Sequence, residues 1–306
     1  MRILITGGAG FLGQHAAARA IQAGHHVVLY DRAAAAVAGA AAIVGDIADR
    51  GALVSAMGGH GIDVAVHLAT LLTDASAADP VEATRINCVG TAALFEAARV
   101  AGLARVVYAS SQAALGMTVQ APGDDAPLRP ATVYGATKAF GEHLAQAYGD
   151  LAPDMTLIGL RFGWVYGPFR DRGWREVQQV IEGFARGRGI VRWPDCAEPI
   201  DWTYADDAAD AILAALAAPQ PTVPVFNVCG DRRRIAEAVA HLSQRFPDIR
   251  AVAYPARFPV SAWDFRADGL ARELGFTPAV KMEDGIDRLI AWLAENAGVD
   301  GAGDRR

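Results

Sequence analysis

Lysine is almost missing from this chain, whose 306 residues carry 26 arginines but only Lys138 and Lys281. Cysteine is scarce too. Cys88, Cys196 and Cys229 stand far apart and form no Cys-x-x-Cys, which argues against a disulfide framework or a thiolate zinc site. They read as reduced thiols of a cytoplasmic protein. There is no excess of positive charge. At a net charge of −6 the chain offers no basic face to nucleic acid and no Lys/Arg-rich helix to a membrane. No run of about 18 or more apolar residues suggests a membrane span. The Ala-rich stretch 33–42 is too short and contains glycine. The opening Met-Arg-Ile-Leu-Ile-Thr is expected to enter a strand directly, without a signal peptide. No His/Asp/Glu constellation has metal-ligand spacing, so no metal is expected.

What is present is the composition of a globular protein with a substantial core, 52% hydrophobic and 20% charged. The length suits one large α/β domain or a domain plus a smaller lobe. Short β-branched runs at 2–6, 26–30, 42–44, 63–68, 105–109 and 156–161 alternate with helical patterns at 12–23, 50–57, 80–101 and 133–148. That alternation predicts a Rossmann-type, doubly wound parallel sheet with right-handed crossovers. Beyond about Tyr166 the pattern loosens, with Trp, Pro and Arg clustered before Trp202. Helices at 205–217, 235–245 and 284–294 and a strand at 225–228 follow, and the tail after Gly298 is expected to fray. With no repeat or low-complexity linker, the second half is read as a lobe interleaved with the sheet. Residues 1–165, with 201–228 returning to them, form the expected nucleotide domain; 166–200 and 229–306 form the expected substrate lobe.

Gly7-Gly-Ala-Gly10-Phe11-Leu12-Gly13 follows the first strand and opens the first helix. Glycines there permit a tight turn, close approach of backbone to a pyrophosphate, and a helix N-terminus facing the phosphates. The spacing is GxxGxxG rather than GxGxxG, and its strand-turn-helix context gives it weight. Asp31 closes the second predicted strand, where a carboxylate can bind both ribose hydroxyls and repel a 2′-phosphate. This favours NAD over NADP. Arg32 next to it could attract that phosphate, which keeps NADP as the lesser alternative. Asp46 and Ile47 suit contact with the adenine, although Asp46 could equally cap a helix.

Lys138 lies four residues after Tyr134 in Tyr134-Gly-Ala-Thr-Lys138, so on a helix the phenol and ammonium share a face. With seven tyrosines and two lysines, chance would supply such a pair only about 0.05 times. A nearby cation favours phenolate and should lower the tyrosine pKa, which suits proton transfer to or from an alcohol or carbonyl oxygen. A tyrosine stacked over a lysine stem on a surface helix is the bland alternative.

These residues, with His67-Leu68-Ala69, Asn87-Cys-Val-Gly-Thr91, Val107-Tyr-Ala-Ser-Ser111, Arg161-Phe-Gly-Trp-Val-Tyr-Gly-Pro168 and Ala205-Asp-Asp207, resemble the extended short-chain dehydrogenase/reductase family, including its epimerase and dehydratase members. The resemblance covers most of the chain and is ordered. It implies that Tyr134 is the general acid/base and that Lys138 binds the nicotinamide ribose and tunes Tyr134. Ser111, or alternatively Ser110, would orient the reacting oxygen. Leu68 and Ala69 would line the cofactor cleft and Asn87 would support the central helix and strand. His67 is read as packing, and Asp206 and Asp207 as the family's helix-capping pair. By the same resemblance, the long segments at 80–101 and 133–148 would pair with a second subunit, giving a two-fold homodimer.

Departures from the family bear on substrate. Nucleotide-sugar members usually place Asn where this chain has Trp164, and Arg before the aspartate where it has Ile200. Their Arg-Pro-Gly-Asp segment is replaced by Arg257-Phe-Pro-Val, which aligns loosely. Losing anion partners and gaining an indole points to a small, non-nucleotide substrate, with Trp164 walling the site or simply packing behind it. Gln112 beside Ser111, and Arg170, Arg172, Arg175 and Arg192, are further substrate candidates; the arginines could clamp a carboxylate or phosphate or form a solvated loop. The leading expectation is an NAD-dependent oxidoreductase acting on a small hydroxy or oxo compound, such as a sugar or hydroxy acid. The alternative is an NAD-retaining epimerase or dehydratase of a sugar or nucleotide sugar. A dinucleotide-sensing regulator is a minor alternative, since fold does not fix function.

Overall fold

The structure, a computed structural model, describes residues 1–116, 121–256 and 265–296. The Arg257-Phe-Pro-Val segment and the tail after Gly298 lie outside the described residues. In the first half, strands β1 (Arg2–Thr6), β2 (His26–Asp31), β3 (Ala41–Val44), β4 (Val64–His67), β5 (Arg105–Ser111) and β6 (Thr156–Phe162) form as the apolar runs predict. Between them stand helices α1 (Phe11–Gln22), α2 (Arg50–His60), α3 (Thr73–Ala78), α4 (Pro80–Ala83), α5 (Gly90–Ala101) and α6 (Val133–Leu151). The second half contributes β7 (Val165–Tyr166), α7 (Glu176–Ala185), β8 (Ile190–Asp195), β9 (Ile200–Tyr204), α8 (Ala205–Ala217), β10 (Val225–Val228) and β11 (Asp231–Arg233). It closes with α9 (Ile235–Arg245), β12 (Arg250–Pro255), α10 (Asp268–Leu274) and α11 (Met282–Glu295).

Seven strands make one parallel sheet in the order β10-β6-β5-β4-β1-β2-β3. Both faces are covered, which is why its central strands read as continuous apolar runs rather than alternating ones. On one face, Ala16, Ala17 and Ala20 of α1 share a cluster with Ala205, Ala208, Ala211 and Ala215 of α8. Small side chains there let the two helices approach closely. The C-terminus of α8 is finished by Arg105 of β5, whose Nη1 donates to the carbonyls of Ala215, Leu216 and Ala218 at 2.5–3.0 Å. On the other face Leu53, Met57, Leu94, Phe95 and Tyr148 cover Leu4, Ala65 and Val106. A third cluster, built from Trp164, Tyr166, Trp202 and Tyr204 with α7, α9 and α11, belongs to the second half.

Two small sheets, β11-β9-β7 and β12-β8, and α7 form beyond the point where the sequence pattern loosens, and none of them was predicted. The apolar stripe of α7, Val177, Val180, Ile181 and Phe184, does follow helical spacing. The predicted single helix at 80–101 runs without a break, but residues Thr84–Val89 form a wide i→i+5 turn. That turn drives Asn87 inward to 3% exposure.

His67 ends β4 and is buried between two hydroxyls, Thr6 Oγ1 at 2.8 Å and Thr91 Oγ1 at 3.0 Å. Thr91 already donates to the Asn87 carbonyl, so it must accept from His67 Nε2–H, while Nδ1 accepts from Thr6. The ring is therefore neutral and held in one tautomer. Burial, reinforced by the charge of Lys138, holds its pKa down to about 3. The unfolded chain takes up this proton below about pH 6.5 and the folded chain does not until about 3, so stability falls as pH drops through that window. A single such group contributes at most about 1.4 kcal/mol per pH unit. His67→Gln is expected to flatten the acid side of the Tm–pH curve relative to wild type. Identical slopes between pH 6.5 and 4 would show that His67 carries no such linkage.

Candidate active site

The glycine turn joins β1 to α1. Gly7 sits at φ +72°, and a Cβ there would lie 2.6 Å from Ala69 N and 2.7 Å from Leu68 C. A Cβ on Gly13 would lie 2.2 Å from Gly7 O, so only glycine lets the turn fold back on the helix. Gly10 is the N-cap of α1 and supplies no side-chain cap, which leaves the N–H groups of Phe11, Leu12 and Gly13 facing outward. Asp31 ends β2 beside this turn. Its Oδ2 accepts from Ala9 N and its Oδ1 from Ala33 N, both at 3.0 Å, so the carboxylate is fixed while each oxygen retains a lone pair. This cradle fits a dinucleotide with free ribose hydroxyls. Arg32 is exposed, and its charge acts on Asp46 and Glu82.

Asp46 is more occupied than its position in the sequence implies. Its Oδ1 accepts from Ala48 N and its Oδ2 from Arg85 Nη1 at 2.7 Å, and Asp49, not Asp46, caps α2. Ile47 is buried beneath Gly90. Asn87 accepts from Leu71 N and Thr70 Oγ1 and donates to Leu71 O and Thr137 Oγ1, tying the loop after β4 to α6.

Thr132 caps α6 through Gly135 N and so starts the helix one turn before Lys138. Lys138 Nζ lies 5.6 Å from the Tyr134 ring centroid and donates to Ala109 O at 2.8 Å. The Ser111 hydroxyl at the end of β5 hydrogen-bonds the Tyr134 phenol and accepts from Ala113 N. The three side chains thus converge, but the electrostatics differ from the expectation. Burial dominates and pushes Tyr134 up to about 12, opposed by the Ser111 hydrogen bond and the charge of Arg170. Burial also brings Lys138 down to about 8. Tyr134 is therefore a protonated donor at neutral pH. Ser110, the alternative to Ser111, instead donates to Glu142.

The substrate candidates separate. Trp164 is 2% exposed, stacked on Tyr166 at 5.2 Å, with its Nε1 donating to Trp174 O. It packs in the aromatic core and does not wall an open site, and Ile200 is equally buried. Arg172 points to solvent beside Asp171, and Arg175 is paired with Glu182. Arg192 lies over Tyr254 at a cleft of about 360 Å³ that Arg188, Glu176 and Ile190 also line. Only Arg170 stands beside Tyr134. It lies over the Phe11 ring at 5.5 Å and donates to Val165 O and Trp174 O, while its buried Nε has no partner. Gln112 is 2% exposed, and its Oε1 and Asp201 Oδ2 are both buried without a hydrogen-bond partner. Burial raises the Asp201 carboxyl to about 7.

Sequence reasoning missed Glu142, although 134, 138 and 142 continue one helix face. It also assigned Asp206 and Asp207 to helix capping. In fact Asp206 pairs with His15, and Asp207 accepts from Ala279 N and Val280 N.

Residues 3–229 match the family described as NAD dependent epimerase/dehydratase family. A UDP-glucose 4-epimerase of Mycolicibacterium smegmatis is 30% identical over 96% of this chain and 98% of its own length. A dTDP-L-rhamnose 4-epimerase of Burkholderia thailandensis is 28% identical over 96% and 95%. The solved structure of MoeE5 in complex with UDP-glucuronic acid and NAD superposes with a TM-score of 0.85 at 27% identity, covering 97% of this chain and 100% of that one. These relatives align with the epimerase alternative better than with a generic oxidoreductase on a small compound. The chain belongs to the NAD-dependent epimerase/dehydratase family, an extended short-chain dehydrogenase/reductase enzyme family.

Proposed function

We propose that this chain is an NAD-retaining epimerase of a nucleotide sugar. The observation that carries the reading is the hydrogen bond of Ser111 to Tyr134, with Lys138 on the same helix face, at the carboxyl end of the parallel sheet. NAD, when bound, supplies the hydride acceptor, and Gly7, Gly10, Gly13 and Asp31 would hold it. Ser111 fixes the sugar oxygen. Tyr134 is protonated without cofactor. Its phenolate, favoured by Lys138 and by the positive nicotinamide of bound NAD⁺, would take the hydroxyl proton as the carbinol is oxidised and return it when the carbonyl is reduced from the other face, so the cycle is redox-neutral. The segment from Arg170 through Trp174 to Glu176 runs from beside Tyr134 to the Arg188/Arg192/Tyr254 cleft. Arg188 and Arg192 there would meet the charge of a nucleoside diphosphate, beside a Glu176 carboxylate that already accepts from the Tyr254 phenol. On this reading, residues 1–165 with 201–228 bind NAD, and 166–200 with 229–306 bind substrate.

A second reading, oxidation of a small hydroxy acid or sugar, is favoured by one observation. Trp164 and Ile200, where nucleotide-sugar members supply polar partners, are buried and present no donor to a phosphate. Incubating the purified protein with NAD⁺ and a panel of UDP-sugars, dTDP-sugars, uronates and hydroxy acids separates the two. The expected result is interconversion of a nucleotide sugar with its epimer and no growth of the reduced-nicotinamide absorbance. Net reduction of NAD⁺ by a hydroxy acid, with every nucleotide sugar inert, would overturn it.

Tyr134→Phe is expected to leave NAD binding within a few-fold and to cut turnover by about a hundredfold or more. Lys138→Met should lower turnover and also weaken NAD binding. Near-normal turnover of Tyr134→Phe would exclude Tyr134 as the acid/base.

We also propose a two-fold homodimer. Val81 and Val89, on the helix that spans 80–101, and Phe140 and Leu151 on α6 are 81%, 50%, 41% and 59% exposed. Light scattering at micromolar concentration should give twice the 32.1 kDa chain mass, and a monomer would overturn the assignment.

A further inference from the structure

Gly163, between β6 and β7, lies against two buried side chains that come from different parts of the fold. A Cβ on it would stand 2.4 Å from Gln112 Oε1 and 2.7 Å from Asp201 Oδ2. Gln112 follows Ser111 in the short turn after β5, and Asp201 lies on β9. Both residues are 2% exposed, and neither oxygen has a donor. Two oxygens buried against one Cα carbon are thus left without a hydrogen bond, and they repel each other whenever Asp201 is ionised. Reversing the Gln112 amide removes the conflict without moving the backbone, since the two ends of an amide are nearly isosteric. Nε2 then lies against Gly163 beside Asp201 Oδ2, to which it could donate. Oε1 turns to the Cys229 thiol, 3.4 Å from the present Nε2 position, and accepts its S–H. Burial pushes that thiol well up, so its proton is available. Asp201 Oδ1 already accepts from Thr203 Oγ1 and Gly230 N, each at 2.8 Å, and Gln112 would supply a donor to Oδ2.

We propose that Asp201 is a positioning residue that grips Gln112 across Gly163 and thereby sets the turn that presents Ser111 to Tyr134. The link joins β9 of the second half to the reacting end of β5. Ser111 Oγ already accepts from Ala113 N within that turn, so a displaced Gln112 moves the hydroxyl itself.

The test is a charge swap, read by steady-state kinetics on whichever substrate of the panel above is turned over. Gln112→Glu sets two carboxyl groups together that must share a proton. It is expected to lower kcat by about 10- to 100-fold with KM within a few-fold. Its kcat–pH profile should also differ from that of wild type, with an added alkaline-side fall as the shared proton is lost, on top of the loss of the Lys138 charge that both proteins show. Asp201→Asn keeps a hydrogen bond, because Gln112 can turn its Oε1 back to the new Nδ2, and should stay within a few-fold of wild type. Combining Gln112→Glu with Asp201→Asn exchanges donor and acceptor and should restore both kcat and the pH profile. A double variant no better than Gln112→Glu alone would overturn the proposal, as would a Gln112→Glu enzyme whose pH profile matches wild type. Melting temperatures of the same four proteins give a substrate-independent readout. Additive shifts across the cycle would refute the contact even if no substrate of the panel is turned over.

Discussion

Glu142 and Arg161 form a bidentate ion pair in which both side chains are 4% exposed, with Arg161 Nε and Nη2 donating to the two carboxylate oxygens at 2.9 and 2.7 Å. Two charges so far from water are costly unless their remaining hydrogen-bonding groups are met. Here they are. Arg161 Nη1 donates to Asp124 O, and Ser110 donates to Glu142. Asp124 in turn accepts from Asn227 N on β10. One pair therefore locks α6, β5, β6 and β10 in a single register. Glu142 lies one helical turn beyond Lys138 and Ser110 adjoins Ser111, so the spacing between α6, which carries Tyr134 and Lys138, and the end of β5 is set by this pair. Removing either partner alone would strand a buried charge, a loss of roughly 3–5 kcal/mol.

The sheet was legible in the sequence because parallel strands buried on both faces leave continuous apolar runs, and all seven appear where 2–6, 26–30 and their successors predict them. The glycine turn was legible because the backbone approach at Gly7 and Gly13 tolerates no side chain. The second half was harder to read for a physical reason. Its strands are two to six residues long, and its core is made by aromatics that meet from distant positions, with Trp164 touching Tyr166, Trp174 and Trp202. No local period encodes such contacts. The sign of the Tyr134 shift escaped for a related reason, because helix spacing reports which groups are neighbours but not how much water they lose.

Burial also changes what Trp164 and Ile200 mean. An indole in place of an asparagine reads in the sequence as a substituted ligand contact. In the fold it is the centre of an aromatic stack whose N–H is already bonded. The missing donors remain missing, but the indole does not occupy their space. A cation beside Tyr134 comes instead from the segment after β7, where Arg170 lies over Phe11 of the glycine turn.

The wide turn at Thr84–Val89 has a consequence for how this segment tolerates change in length. A regular helix advances about 100° per residue, so one residue more or fewer rotates everything beyond it by that angle. The turn absorbs such an offset, which lets Val81 and Val89 face outward while Asn87 reaches Leu71 and Thr137. Deleting one residue there would give a more regular helix by every local criterion. It would also swing either Asn87 out of its network or the exposed valines to a new bearing, so at this point in the chain a regular helix and the Asn87 network are opposed.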